Sequence, residues 1–98
     1  MIGRACVMYQ RSACTCMMLA VSRARAQENS WEIEYEIGYT MFDYRNAVRK
    51  VMRLVRGRKI DVLMIPDLSC LGTINDMMKI AGALQECDVK LYRLDKRR

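Results

Sequence analysis

Between Trp31 and Ile37 the apolar residues Trp31, Ile33, Tyr35 and Ile37 interleave with Glu32, Glu34 and Glu36 without a break. A period of two predicts a strand with one buried and one wet face, at a sheet edge where the glutamates discourage further pairing. Two other stretches show no alternation. Residues 5–9 and residues 60–65, the latter broken only by Asp61, are continuous apolar runs, as in strands covered on both faces. Residues 1–4 are expected to be a lead-in, and residues 89–91 a last short strand before a charged tail.

Helical spacing fills the intervals. Residues 14–29 lack proline and glycine and carry Met17, Leu19, Ala20, Val21 and Ala24 as an expected core side, ending at an Asn29-Ser30 turn. After a loop over residues 38–44, residues 45–56 place Val48, Val51, Met52 and Val55 at i, i+3, i+4 and i+7, with Gly57 at the C-cap position. Pro66 closes the second apolar run. Thr73 and Asp76 have N-cap and capping-box spacing for a third helix, with Ile74, Met77, Met78, Ala81 and Leu84 as its expected core stripe, ending near residues 86–88. The order β-α-β-α-β-α-β predicts an α/β fold: a three-layer, mostly parallel four-stranded sheet, order 2-1-3-4, flanked by helices. The loops after the first strand (residues 11–15) and third strand (residues 67–73) and the segment near Arg45 then converge beyond the carboxyl ends of the strands, where such sheets bind ligands.

Composition narrows the chemistry. The 98 residues, 52% hydrophobic, suit a single domain over residues 1–98. No apolar run approaches the ~18 to 20 residues of a membrane helix, and no signal peptide is recognisable, so a cytoplasmic protein without membrane contact is expected. There is no histidine, which excludes Ser-His-Asp triads, Cys-His pairs and histidine metal sites. The five cysteines are irregularly spaced and form no Cys-x-x-Cys pair, consistent with small thiols in a reducing compartment. Alternate strand residues stand ~6.5 to 7 Å apart, too far for one ion to take all three glutamates, so the acidic row reads as a solvated face and no metal is expected. Catalysis would have to rest on Ser, Thr, Tyr, Cys, Arg, Lys or carboxylates.

The net charge of +6 is unevenly spread. Residues 45–59 hold Arg45, Arg49, Lys50, Arg53, Arg56, Arg58 and Lys59 and no acidic residue, and Lys96-Arg97-Arg98 closes the chain. Such patches favour polyanions, nucleic-acid backbone first, although a solvated helix face has the same composition.

Tyr9-Gln10-Arg11-Ser12-Ala13 resembles the Tyr-x-Arg-x-Ser opening of the serine recombinases, the resolvases and invertases. The likeness continues through Asn29-Ser30-Trp31-Glu32-Ile33, Arg45, residues 51–63, and Leu68-Ser69-Cys70-Leu71-Gly72-Thr73, where the family carries Leu-Asp-Arg-Leu-x-Arg, and covers about residues 5–94. The resemblance implies a catalytic domain in which a serine attacks a DNA phosphodiester to give a phosphoserine while arginines stabilise the transition state, with neither metal nor cofactor. Carried over residue by residue, the two early arginines match Arg11 and Arg45. The nucleophile position is Ala13, which has no oxygen, and the later Asp, Arg and Arg positions are Ser69, Cys70 and Thr73. Losing one transition-state donor costs ~100- to 1000-fold, so four such losses imply no strand cleavage.

Ser12 is the fallback nucleophile, though a one-residue slip on extended chain turns a side chain to the opposite face. Cys70, near a helix start, is considered as a reactive thiol and as an inert one. The Ser-Gly-containing stretch of the family is replaced by residues 39–44, and residues 14–18 replace a polar loop. The sequence closes before the long dimerising helix and DNA-reading domain that follow in that family.

Three readings result. The first is a recombinase-like domain without strand exchange that binds DNA backbone nonspecifically through Arg11, Arg45, Arg49, Arg53, Arg56, Arg58 and Lys59, with homo-oligomerisation as a further expectation. The second is a non-enzymatic protein-interaction or regulatory module, and the third an active recombinase using Ser12.

Overall fold

A computed structural model describes residues 3–95; the Lys96-Arg97-Arg98 cluster lies outside them. The elements are β1 (Gly3–Gln10), α1 (Thr15–Glu28), β2 (Trp31–Tyr39), α2 (Tyr44–Arg56), β3 (Val62–Ile65), a 3-10 turn (Leu68–Leu71), α3 (Ile74–Glu86) and β4 (Lys90–Arg93). All pairings are parallel and the order is β2-β1-β3-β4, as expected from the sequence. The apolar runs became the central strands: Ala5 to Tyr9 and Val62 to Ile65 are buried throughout. β1 starts earlier than the run alone suggests because Gly3 and Arg4 pair with Trp31 and Glu32. β2 likewise runs on to Tyr39, through residues expected to be loop, and β4 extends to Arg93.

Helix α1 covers one side of the sheet and α2 and α3 the other, giving two separate cores. The smaller contains Ala5, Val7, Tyr9, Ala26, Val62 and Met64. The larger joins Cys6, Met8, Leu63 and Ile65 to Val51 and Val55 of α2 and Ile80, Ala83 and Leu84 of α3.

In β2 the regular alternation is interrupted. Ala5 pairs with Ile33 but Cys6 pairs with Tyr35, leaving Glu34 as an extra residue. Trp31 and Ile33 therefore pack into the smaller core while Tyr35 and Ile37 pack into the larger. A single wet face of glutamates was expected; the bulge lets one apolar series serve both layers, and Glu36 pairs with Arg23 of α1 at 3.1 Å.

The outer helices face differently from their expected stripes. On α1 the buried residues are Ser22 and Ala26, with Met18 and Leu19 packed beside the core, while Met17 is 72% exposed and Val21 lies outward. Ser22 tolerates burial because its hydroxyl donates to the Met18 carbonyl at 2.9 Å. On α3, Met77, Ile80, Ala83 and Leu84 face inward, whereas Ile74 and Met78 are exposed. Apolar residues occupy both sides of these helices, so periodicity alone does not select one. Helix α2 follows its expected pattern, with Val51 and Val55 fully buried.

Each helix ends on a non-glycine residue with positive φ: Ser30 (60°), Arg58 (53°) and Asp88 (57°). After α2, Arg58 N–H donates to the Val55 carbonyl and Lys59 N–H to the Leu54 carbonyl, the Schellman pair. Gly57 is the C-cap as expected, but at φ −81° it does not supply the left-handed residue; Arg58 does.

Two contacts tie strands together at their amino ends. Arg4 of β1 meets Asp61, just before β3, through its backbone N–H at 2.8 Å and its guanidinium at 3.3 Å. The Trp31 ring lies over Gly3, where a β-carbon would come within 2.9 Å of it, and meets Tyr92 of the far edge strand edge-to-face at 5.2 Å.

Candidate functional site

In a parallel sheet every strand delivers its chain to the same end, so the segments after β1, β2 and β3 share one edge of the molecule. After β1, Arg11 N–H donates to the Tyr39 carbonyl at 2.8 Å and the side chain runs over Gly38. A β-carbon at Gly38 would lie 2.8 Å from the Tyr9 ring and 2.9 Å from Arg11 Nε, so only glycine leaves room for both. Ser12 is folded into a turn: its N–H donates to Thr15 Oγ1 at 2.9 Å, its hydroxyl accepts from Cys14 N–H at 3.2 Å, and Thr15 Oγ1 donates to its carbonyl. Ala13 beside it is exposed and offers only a methyl group.

After β2, Asp43 closes the turn leading to α2. The Thr40 backbone N–H donates to its carboxylate, which holds that group below the ordinary carboxylate range, and the nearby Arg11 charge acts in the same direction.

A concavity of about 640 Å3 lies between α2 and α3. Arg45 and Arg49 border it from α2, Ser69 from the 3-10 turn, Thr73 from the cap of α3, and Asp76 and Lys79 from α3 itself. Ser69 is held by Asp67: its backbone N–H donates to the carboxylate at 2.9 Å and its hydroxyl donates to the same oxygen. Thr73 caps α3, accepting from Asp76 N–H at 3.3 Å, while the Asp76 side chain bonds back to Thr73. Both hydroxyls are thus positioned by local capping. Three cations against one carboxylate leave the cleft positive, suited to an anion.

The cleft floor contains an unusual polar atom. Tyr44 Oη is buried without a hydrogen-bond partner, and its ring packs edge-to-face on Tyr39 at 5.1 Å. Burial pushes the Tyr44 phenol up, and the Asp76 charge adds to this. Burial, followed by the neighbouring Cys70 thiol, pushes Tyr39 up as well.

Of the residues singled out from sequence, Arg45, Arg49, Ser69 and Thr73 share this cleft. Cys70 does not: the 3-10 turn directs it inward, and at 4% exposure it belongs to the larger core. Arg11 sits apart, over the end of β2. Arg45, Arg49, Arg53 and Arg56 form a stripe opposite the buried valines, and α2 at ~1.5 Å per residue carries it ~16 Å toward the other end of the sheet. Arg58 and Lys59 lie past that far end, where the Arg58 carbonyl accepts from the Arg4 guanidinium. Among the described residues, none of the seven cations from Arg45 to Lys59 takes part in an ion pair.

Tyr44, Asp76 and Lys79 were not expected at the site. Residues 38–44 read as a loop in the sequence, yet Tyr44 opens α2, and Asp76 both caps α3 and borders the cleft. The signal for Lys79 was its i, i+3 spacing from Asp76, which puts both on one helix face. Among the described residues no group of acidic, cysteine or histidine side chains could hold a metal ion, and no helix is long and apolar enough to cross a membrane.

No protein-family model matches the sequence, and no curated protein matches it. Among solved structures the chain is similar to the crystal structure of the C-terminal catalytic domain of ISC1926 TnpA, an IS607-like serine recombinase, with a TM-score of 0.76 and 18% identity over 93% of this chain and 68% of that one. With its parallel 2-1-3-4 sheet and three helices, the chain has the fold of a serine recombinase catalytic domain.

Proposed function

We propose that this domain binds nucleic-acid backbone without cutting it. The observation that carries this reading is the juxtaposition of Arg45, Arg49 and Lys79 around the α2–α3 cleft, continued along α2 by Arg53 and Arg56. Cations without carboxylate partners are free to neutralise phosphates and release counterions, which gives affinity without sequence preference. Ser69 and Thr73 stand at the same edge with their hydroxyl protons given to Asp67 and Asp76, so Arg45, Arg49 and Lys79 carry the phosphate contacts. Cleavage is not expected, because Ala13 has no nucleophilic oxygen and the Ser69, Cys70 and Thr73 positions supply no charge to a transition state.

Binding of a labelled DNA duplex, followed by anisotropy between ~50 and ~200 mM salt, should give a steep negative slope of log K against log salt. R45A/R49A should reduce that slope by about 2, given a slope of ~0.9 per neutralised phosphate. Affinity that ignores salt, or a slope unchanged in the double variant, would remove this reading. A protein-interaction role draws its support from the exposed Met17 and Val21 on α1 and Ile74 and Met78 on α3; capture of a protein partner with no DNA affinity would favour it.

A further inference from the structure

Met41 and Phe42, between β2 and α2, are 78% and 92% exposed. Large apolar side chains at such exposure are ordinarily loosely held, but this pair sits on a closed turn. Thr40 donates to Asp43 Oδ1 through its N–H and its hydroxyl, Phe42 N–H donates to Thr40 Oγ1 at 3.3 Å, and Asp43 N–H donates to the Thr40 carbonyl at 3.2 Å. The turn therefore presents the Phe42 ring outward on a fixed base, at low entropic cost for any partner that covers it.

The surroundings of the ring indicate what that partner is. A hollow of about 370 Å3 joins Met41 and Phe42 to Arg45, Asn46 and Arg49; Asp43 also lines it, its carboxylate tied back to Thr40, so two cations face one carboxylate. A protein surface covering Phe42 would have to desolvate those cations, which lack carboxylate partners. A nucleic-acid strand meets both demands, with its bases taking the ring and its phosphates the arginines. Bases within a duplex already stack on one another, so an outward ring finds an open face where the strand is unpaired.

We infer that Phe42 is a stacking platform for an unpaired base of single-stranded nucleic acid, with Arg45 and Arg49 holding the adjoining phosphates. This rests on the backbone-binding reading above and adds a preference for single strands.

The test uses the whole chain and labelled oligonucleotides of about 16 nucleotides, single-stranded and duplex. F42A should lose about tenfold in single-strand affinity, change less than about twofold on duplex, and keep the wild-type salt slope, whereas F42W should retain single-strand affinity. Unchanged single-strand binding by F42A, with R45A/R49A still lowering the salt slope, would overturn the platform and leave the backbone reading standing. If the wild-type chain binds neither oligonucleotide, both readings fall. If F42A leaves nucleic-acid affinity intact but converts an oligomer to a monomer in sedimentation, the tip belongs to a contact between copies and the inference is overturned.

Discussion

A β-carbon built on Gly72 would lie 2.5 Å from the phenolic oxygen of Tyr44 and 2.8 Å from an Asp76 carboxylate oxygen. Gly72 also has φ +78°, a conformation that other residues adopt only under strain. Space and backbone thus both demand glycine where the 3-10 turn passes into α3. G72A should destabilise the chain by about 2 kcal/mol, combining backbone strain with displacement of the Tyr44 ring, as measured by urea unfolding.

The same Tyr44 hydroxyl is buried without a partner, and an unsatisfied buried hydroxyl costs ~1 to 3 kcal/mol. Y44F should therefore be neutral or stabilising by about 1 kcal/mol, whereas removing a satisfied hydroxyl destabilises. In a double-mutant cycle Y44F should recover part of the G72A loss.

Asp61 accepts from the guanidinium and the backbone N–H of Arg4, and these bonds, the guanidinium's first, hold its carboxyl below its ordinary value. A depressed carboxyl contributes stability above its unfolded value of ~3.9 and loses it as pH falls through the lower folded value. The stability difference between wild type and D61N should accordingly be flat above about pH 5 and shrink below about pH 4, a dependence that acid-limb denaturation curves can resolve. A difference that grows on acidification would contradict the assignment.

The thiols should divide by burial. Cys14 and Cys16 are exposed, Cys87 is half-buried, and Cys6 and Cys70 are buried. Burial pushes Cys6 up to about 12. A chromogenic disulfide reagent should modify Cys14 and Cys16 rapidly and reach Cys6 and Cys70 only on unfolding.

Introducing an oxygen at position 13 should not confer cleavage. A13S would place a hydroxyl in an exposed loop, but the neutral Ser69 and Thr73 and the inward Cys70 would still give an attacked phosphate no charge from the third loop. Incubation with nicked or intact duplex should yield no covalent protein–DNA adduct on denaturing gels.

The sheet was legible in the sequence because Ala5 to Tyr9 and Val62 to Ile65 are covered on both faces, and burial on two sides leaves an unbroken apolar run. The inward faces of α1 and α3 were not. Met17 and Met78 are as apolar as Met18 and Met77, and only packing against the strands distinguishes them. Nor does anything local to Glu34 announce a bulge, which arises from the register with β1. At the site, Arg45, Ser69 and Thr73 share one cleft because a parallel sheet gathers its βα loops at one end, whereas the loop after β1, expected to converge with them, leaves Arg11 apart. Cys70 and Leu71 both turned inward to the larger core while Ser69 stayed at the cleft, because a 3-10 turn carries about three residues per revolution and so separates neighbouring side chains widely.

The chain has a single tryptophan, and its indole, on one border strand, crosses the bare backbone at Gly3 to meet the Tyr92 ring of the other border strand and lies 5.4 Å from the Lys90 ammonium. Parting either border would expose the same ring to water. Its intrinsic emission is thus a built-in gauge of the sheet's lateral closure, and comparing it with helical circular dichroism during unfolding would reveal whether the borders peel before the helices melt.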